Sequence, residues 1–363
     1  MKSYNHLFEK LVDTGNLKQA IANSARGKNK NRYRHRKLKE ISRDPDSYIE
    51  EVRSKIERFE PPKHIEKVIN DGINAKKRKI TVPTVYEEII HHAVVNVFKE
   101  ITLPSMYEHS YASIQGRGTH LAARRIKRWI KRDKKNTKYC LKLDIRKYFE
   151  SINQDILLQK LRKLIRDNKF YSILEKIVRS TDSGIPLGFV TSQWFANFYL
   201  TELDHKIKEE WQARYYVRFM DDMIIFGSNK RKLHRLFDNL KTYLENELDL
   251  EVKDNWQIFR LDSRPLDFLG FRFYRNHTGL RRKLALKMCR KADRIAKKPQ
   301  ITVHDARQMV TYAGYTKYAD VYDWYQDHIK PCVNIRRLRK QISYHDRRKN
   351  NERNRRIDIS AQC

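Results

Sequence analysis

The sequence predicts an α+β body in which helices back one face of an antiparallel sheet, and three observations carry that expectation. Between Pro61 and about Tyr274, short β-like runs alternate with longer stretches of helical periodicity. Two of those runs meet at an adjacent pair of aspartates, which reads as a hairpin with its carboxylates at the turn. The chain, at 363 residues, is long enough to bury a sizeable core as one large domain or as a body with smaller lobes.

Taken in order, residues 1–60 are polar and basic, and the run Gly27-Lys28-Asn29-Lys30-Asn31-Arg32-Tyr33-Arg34-His35-Arg36-Lys37 is expected to form helices and a basic arm partly ordered by a polyanion. A solvated, flexible face is the alternative reading. The expected strands are Arg78–Pro83, Tyr139–Asp144, Tyr215–Met220, Met223–Phe226 and Phe268–Tyr274; the expected helices are Val85–Ile101, His120–Lys131 and Ser192–Trp211. Basic, aromatic helical patterns return from 280 to about 342, and 343–363 reads as a charged tail. The expected division is therefore 1–60, 61–275, 276–342 and 343–363.

Charge narrows the partner. Lys and Arg number 78 against 44 Asp and Glu, a net of +34, which favours a polyanionic ligand. Composition alone also fits a ribosomal or coat protein. No run of about 18 apolar residues exists to span a bilayer, and the N-terminus has no apolar signal core, so the expectation is a cytoplasmic protein without a membrane partner. Cys140, Cys289, Cys332 and Cys363 lie far apart with no CxxC pair, which argues for reduced thiols over a zinc site or disulfides. His91-His92 lacks HExxH spacing and reads as a helix pair.

Two segments carry chemistry. In Tyr215-Tyr216-Val217-Arg218-Phe219-Met220-Asp221-Asp222-Met223-Ile224-Ile225-Phe226, apolar strands flank Asp221 and Asp222. Two carboxylates at one turn repel unless a cation joins them, and Mg²⁺ suits oxygen ligands while leaving room for water and phosphate. In Leu141-Lys142-Leu143-Asp144-Ile145-Arg146-Lys147-Tyr148-Phe149, an apolar strand ends in Asp144 and an amphipathic helix follows. Carboxylates from two strand ends are what two-metal phosphoryl transfer needs. A single Asp could equally be a turn residue; the joint pattern points to catalysis.

Across roughly residues 60–275 the order of these blocks resembles the reverse transcriptases. Phe219-Met220-Asp221-Asp222 looks like the family's aromatic-x-Asp-Asp box, Asp144 with Phe149 like its first catalytic block, and Phe268-Leu269-Gly270 like its primer grip. Lys76-Lys77-Arg78-Lys79-Ile80 sits where the family has its basic fingers strand. The resemblance implies a right-hand polymerase with fingers, palm and helical thumb. In Gly184-Ile185-Pro186-Leu187-Gly188-Phe189-Val190-Thr191-Ser192-Gln193 an apolar residue precedes Gly-x-x-x-Ser-Gln, where most of the family has Gln-Gly-x-x-x-Ser-Pro. That departure, with Ser110-Tyr111-Ala112-Ser113-Ile114-Gln115-Gly116-Arg117-Gly118-Thr119-His120 and His91-His92, is similar to the enzymes of diversity-generating retroelements. Such enzymes copy a template-repeat RNA into adenine-mutagenised cDNA alongside a positively charged accessory variability protein, in a bacterial or phage-infected cell. Retron and abortive-infection reverse transcriptases, and an inactive nucleic-acid-binding relative, are the alternatives.

By this resemblance, two Mg²⁺ ions are expected at Asp144, Ile145, Asp221 and Asp222. Lys76 and Arg78 are expected at the phosphates of the incoming dNTP, although Arg78 could be one solvated cation in its run. Phe149 is expected under the sugar, or in the core. Leu187, Gly188 and Gln193 are expected near nucleotide and template, with Ser192 as a possible N-cap. Lys253 is expected as a general acid toward pyrophosphate. The aromatic-basic helices between Tyr312 and Arg339 combine core packing with a face for the cDNA/RNA duplex.

Overall fold

The computed structural model describes residues 3–26, 33–71 and 76–360. Among them the α+β expectation holds: helices accompany three antiparallel sheets. The chain forms two compact units, one of residues 1–118 and 139–258, the other of 119–138 and 259–363. This division falls at other points than the breaks expected at 60, 275 and 342.

The first unit opens with helices α1 (Leu7–Val12), α2 (Thr14–Ala25), α3 (Tyr33–Ile41) and α4 (Ile49–Glu57). Leu11, Leu17, Ile21, Leu38, Val52 and Ile56 are buried in the main core, so apolar contact within the protein orders these helices. Of the expected basic arm, residues 27–32 lie outside the described residues, and Tyr33–Lys37 begin α3. Strands β1 (Ile65–Asp71), absent from the expected set, and β2 (Lys76–Val82) pair as a two-stranded ribbon. Helix α5 (Val85–Thr102) begins with a capping box in which Thr84 and Glu87 satisfy each other's backbone N–H.

The central sheet of this unit is built on β3 (Tyr139–Asp144), which the sequence marked to the residue. Short α7 (Tyr148–Ser151), α8 (Gln154–Leu164), α9 (Asn168–Val178), α10 (Val190–Tyr199) and α11 (Thr201–His205) come next. Strands β4 (Tyr215–Phe219) and β5 (Asp222–Gly227), helix α12 (Lys230–Leu248) and strand β6 (Gln257–Arg260), which runs through the chain's division at residue 258, complete the order β4-β5-β3-β6. The continuous helix expected over Ser192–Trp211 is instead α10, α11 and a wide turn at Lys206–Glu210. Thr201 Oγ1 donates back to the Asn197 carbonyl at 3.2 Å, a local bond that competes with the helical ladder at this break.

In the second unit, helix α6 (Thr119–Arg132) accompanies a three-stranded meander, β7 (Leu266–Phe268), β8 (Phe271–Phe273) and β9 (Thr278–Leu280). The single strand expected over Phe268–Tyr274 is thus a hairpin. Leu269 and Gly270, at φ of +52° and +88°, turn the chain between β7 and β8. Helices α13 (Arg282–Ala296), α14 (Val303–Thr316), α15 (Tyr322–His328) and α16 (Ile335–Ser360) gather around Met288, Ala292, Met309 and Ile329. The expected charged tail is helical through Ser360, continuing the helix α16 that starts on the apolar anchors Ile335 and Leu338. Among the described residues no helix is long and apolar enough to cross a membrane.

Candidate active site

Strand register assembles the site. Asp144 closes β3, Asp222 opens β5, and antiparallel pairing sets them opposite each other. Asp221 occupies the turn between β4 and β5, where Met220 takes φ +59°. Burial, then the charge of Asp144 and that of Asp222, push the Asp221 carboxyl well above the usual carboxylate range. The structure therefore brings the three expected aspartates together.

The donor set fits a divalent cation. Asp144 Oδ1 is buried without a hydrogen-bond partner, and the mutual repulsion of these carboxylates is what a hard cation relieves. Among the described residues no group of three such side chains is gathered as a ligand cage as it stands. Instead the Lys253 ammonium sits on Asp144 Oδ2. The segment bearing Lys253 lies along the Asp144 segment: Lys253 N–H donates to the Asp144 carbonyl at 2.8 Å, and Ile145 bridges Val252 antiparallel. Ile145 itself is fully buried.

The remaining expected residues are placed as follows, two of them through backbone bonds to other segments. Phe149 is half-buried, and its carbonyl accepts from Ile185 N–H at 2.8 Å. Leu187 is half-buried too, and its carbonyl accepts from Thr81 N–H at 2.6 Å, so the block carrying Leu187 and Gly188 lies along β2. A Cβ on Gly188, at φ +123°, would come within 2.2 Å of the Thr81 carbonyl oxygen. The close approach that excludes a side chain there is to strand backbone. Gln193 is exposed on α10. Ser192 is not the cap of that helix: Phe189 holds the N-cap position, and the Ser192 hydroxyl is buried two residues inside. Arg78 is exposed on β2 opposite Ile69; Lys76 begins that strand, and its side chain lies outside the described residues.

Beneath the Asp-Asp turn lies a network that sequence reasoning did not single out. Arg218 and Asp204 are both fully buried and joined at 2.6 Å. Arg218 also donates to Asn197 Oδ1 at 3.1 Å and to the Met220 carbonyl at 3.2 Å, the peptide just before Asp221. Tyr216 donates its hydroxyl to Asp204 at 2.7 Å. Tyr148, buried beside Phe149, donates to the Ala196 carbonyl at 2.5 Å and ties α7 to α10. The signal in the sequence was a cation inside the apolar run Tyr215–Phe219, since a charge in a buried strand demands a partner. The Ser110–Arg117 segment packs on the same strand: Arg218 N–H donates to the His109 carbonyl and Tyr111 N–H to the Arg218 carbonyl.

Residues 62–273 match the family model described as reverse transcriptase (RNA-dependent DNA polymerase). The Retron Ec73 reverse transcriptase of Escherichia coli is 28% identical over 139 residues, 35% of this chain and 44% of that one. Protein YkfC of Escherichia coli strain K12 is 22% identical over 213 residues, 47% of this chain and 56% of that one. The chain thus spans about half the length of these curated relatives. Among solved structures, apo telomerase from Candida tropicalis is similar at a TM-score of 0.48 and 13% identity, over 69% of this chain and 52% of that one.

Proposed function

The chain belongs to the reverse transcriptase (RNA-dependent DNA polymerase) family, and on that premise we propose that it copies a template-repeat RNA into adenine-mutagenised cDNA as the polymerase of a diversity-generating retroelement. The observation that carries the polymerase reading is the meeting of Asp144, Asp221 and Asp222 at one end of the central sheet. The subtype rests on the Leu187–Gln193 block and the Ser110–His120 segment.

In this reading Asp144, Asp221 and Asp222, with the Ile145 backbone, hold two Mg²⁺ ions. Bound there, the ions would activate a primer 3′-hydroxyl and steady the leaving pyrophosphate. Lys253 is assigned to protonate that pyrophosphate, and Lys76 and Arg78 to hold the dNTP phosphates. Phe149 fills the space a ribose 2′-hydroxyl would need. Leu187, Gly188 and Gln193 line the path of nucleotide and template. Residues 61–275 serve as fingers and palm, 276–342 as thumb, and an oligomeric accessory variability protein is the partner in the cytoplasm.

A retron-type enzyme is the second reading, favoured by the match to the Retron Ec73 protein. Co-purifying the chain with its RNA and sequencing the cDNA separates the two. Substitutions concentrated at template adenines support the first reading; a faithful short cDNA supports the second. A chain that yields no cDNA and extends no primer would overturn both.

A further inference from the structure

We propose that the groove between α6 and the β8–β9 hairpin, inside the second unit, is a docking site for single-stranded RNA. The proposal rests on the polymerase reading only for the source of that RNA. The groove encloses about 480 Å³ and is lined among others by Lys127, Lys131, Lys134, Tyr274, His277 and Asp320.

Charge is the first argument. Helix α6 carries Arg124, Arg125, Lys127, Arg128, Lys131 and Arg132 and no carboxylate. Among the described residues, Lys127 alone of these six has an acidic partner, Asp320 at 2.6 Å. That carboxylate is occupied on its other side, where Oδ2 accepts from Thr278 N–H at 2.9 Å. Lys131 and Lys134 stay exposed, and among the described residues neither has an ion-pair partner; the neighbouring Asp133 carboxylate accepts from Asn136. A row of cations that the fold leaves uncompensated is stabilised by an added polyanion.

Shape and chemistry are the second. The rings of Tyr274 and His277 stack at 4.2 Å between centroids and 11° between planes at the tip of the hairpin, and His277 is exposed. A preformed aromatic platform beside phosphate-binding cations is how proteins hold unpaired bases; a duplex keeps its bases out of reach. The walls are held in place independently of any ligand. Arg275 donates to Thr137 Oγ1 at 2.8 Å and to the Thr137 carbonyl at 3.1 Å, and its Nε meets Asp262 at 2.8 Å. An acidic protein would use the cations but not the stack, so single-stranded RNA is the better fit.

The test is filter binding of the full chain without divalent ions, using a short mixed-sequence RNA, the same sequence as DNA, and the RNA as a duplex. Lys131→Glu/Lys134→Glu should bind the single-stranded RNA roughly tenfold more weakly, with a salt slope smaller by about 1.4. His277→Ala should weaken single-stranded RNA severalfold, leave the duplex unaffected and keep the slope. Lys230→Glu/Arg231→Glu, an equal charge change on α12, should do much less. Parental affinity and slope in the Lys131/Lys134 variant would overturn the proposal, as would an equal loss in the α12 control. So would tighter binding of DNA or duplex that the groove variants abolish. Because no primer is extended in this assay, a chain that binds RNA as described yet polymerises nothing overturns the polymerase reading alone.

Discussion

In Asp221→Asn the charge is lost while the shape of the side chain is kept, so the variant separates chemistry from binding. RNA affinity rests on many phosphate contacts and should stay near the parental value, whereas Mg²⁺-dependent primer extension should vanish. Extension and filter binding measured side by side check this; near-normal extension would remove the metal assignment. Leu187 carries a fidelity prediction. A Gln amide at this position can hydrogen-bond near the nucleotide, and leucine offers only apolar contact. One oriented hydrogen bond is worth about 0.5–1.5 kcal/mol net, and about 1.4 kcal/mol is tenfold in discrimination. Leu187→Gln should therefore lower misincorporation opposite template adenine several-fold, and more than opposite the other bases; the expectation of an adenine bias comes from the resemblance to diversity-generating enzymes alone. Single-nucleotide insertion opposite each base is the measurement, and unchanged adenine errors in an active variant would sink this role. The backbone bond from Thr81 to the Leu187 carbonyl survives the substitution, so the block should keep its place.

Among elements, the β4–β5 hairpin is the one whose support is specific. Arg218 links Asp204 in α11 and Asn197 in α10 to the Met220 carbonyl, so two helices fix the strained peptide ahead of Asp221. Arg218→Met strands a buried carboxylate and should cost about 3–5 kcal/mol in urea unfolding. The double variant Arg218→Met/Asp204→Leu should regain much of that stability, because apolar replacement of a buried pair is often neutral. It should not regain primer extension, since the Met220 carbonyl is still unheld. Full recovery of activity would make the pair merely structural. These two strands were legible in the sequence because period and turn both marked them: Tyr215–Phe219 and Asp222–Gly227 fall within a residue of the expected runs. The β7–β8 hairpin was not, because Phe268–Tyr274 reads as one run of aromatic and apolar residues broken only by Gly270 and Arg272, and the positive φ at Leu269 and Gly270 reveals the reversal. The partners of Arg218 were hidden for a different reason. Asn197 and Asp204 lie in another part of the chain, and only the fold brings them to the strand.

For the molecule as a whole, the net charge of +34 is a stability term that its ligand controls. Self-repulsion opposes the compact state, and a polyanion that binds only the folded chain adds stability by mass action. Saturating RNA should raise Tm by several degrees at low salt, and the gain should shrink steeply as salt is raised. Calorimetry across a salt series checks it; a gain independent of salt would mean that contacts other than phosphate dominate. The sequence carried the charge, the three aspartates that meet in the site and the α+β class. It did not carry the division into units, because α6 joins residues 259–363 by contacts that no local pattern announces. That discontinuity has a consequence for synthesis. Helix α6 buries Ala122, Ile126, Trp129 and Ile130, and its Lys127 meets Asp320 only 193 residues downstream. On a ribosome adding about 5–20 residues per second, its apolar side waits on the order of ten seconds for the rest of its unit. A nascent chain stalled or truncated near residue 258 would present a sticky, cationic helix to every RNA and unfolded chain nearby. The protein should therefore depend on a holding chaperone during translation, and should aggregate when its gene is cut at the end of the first unit.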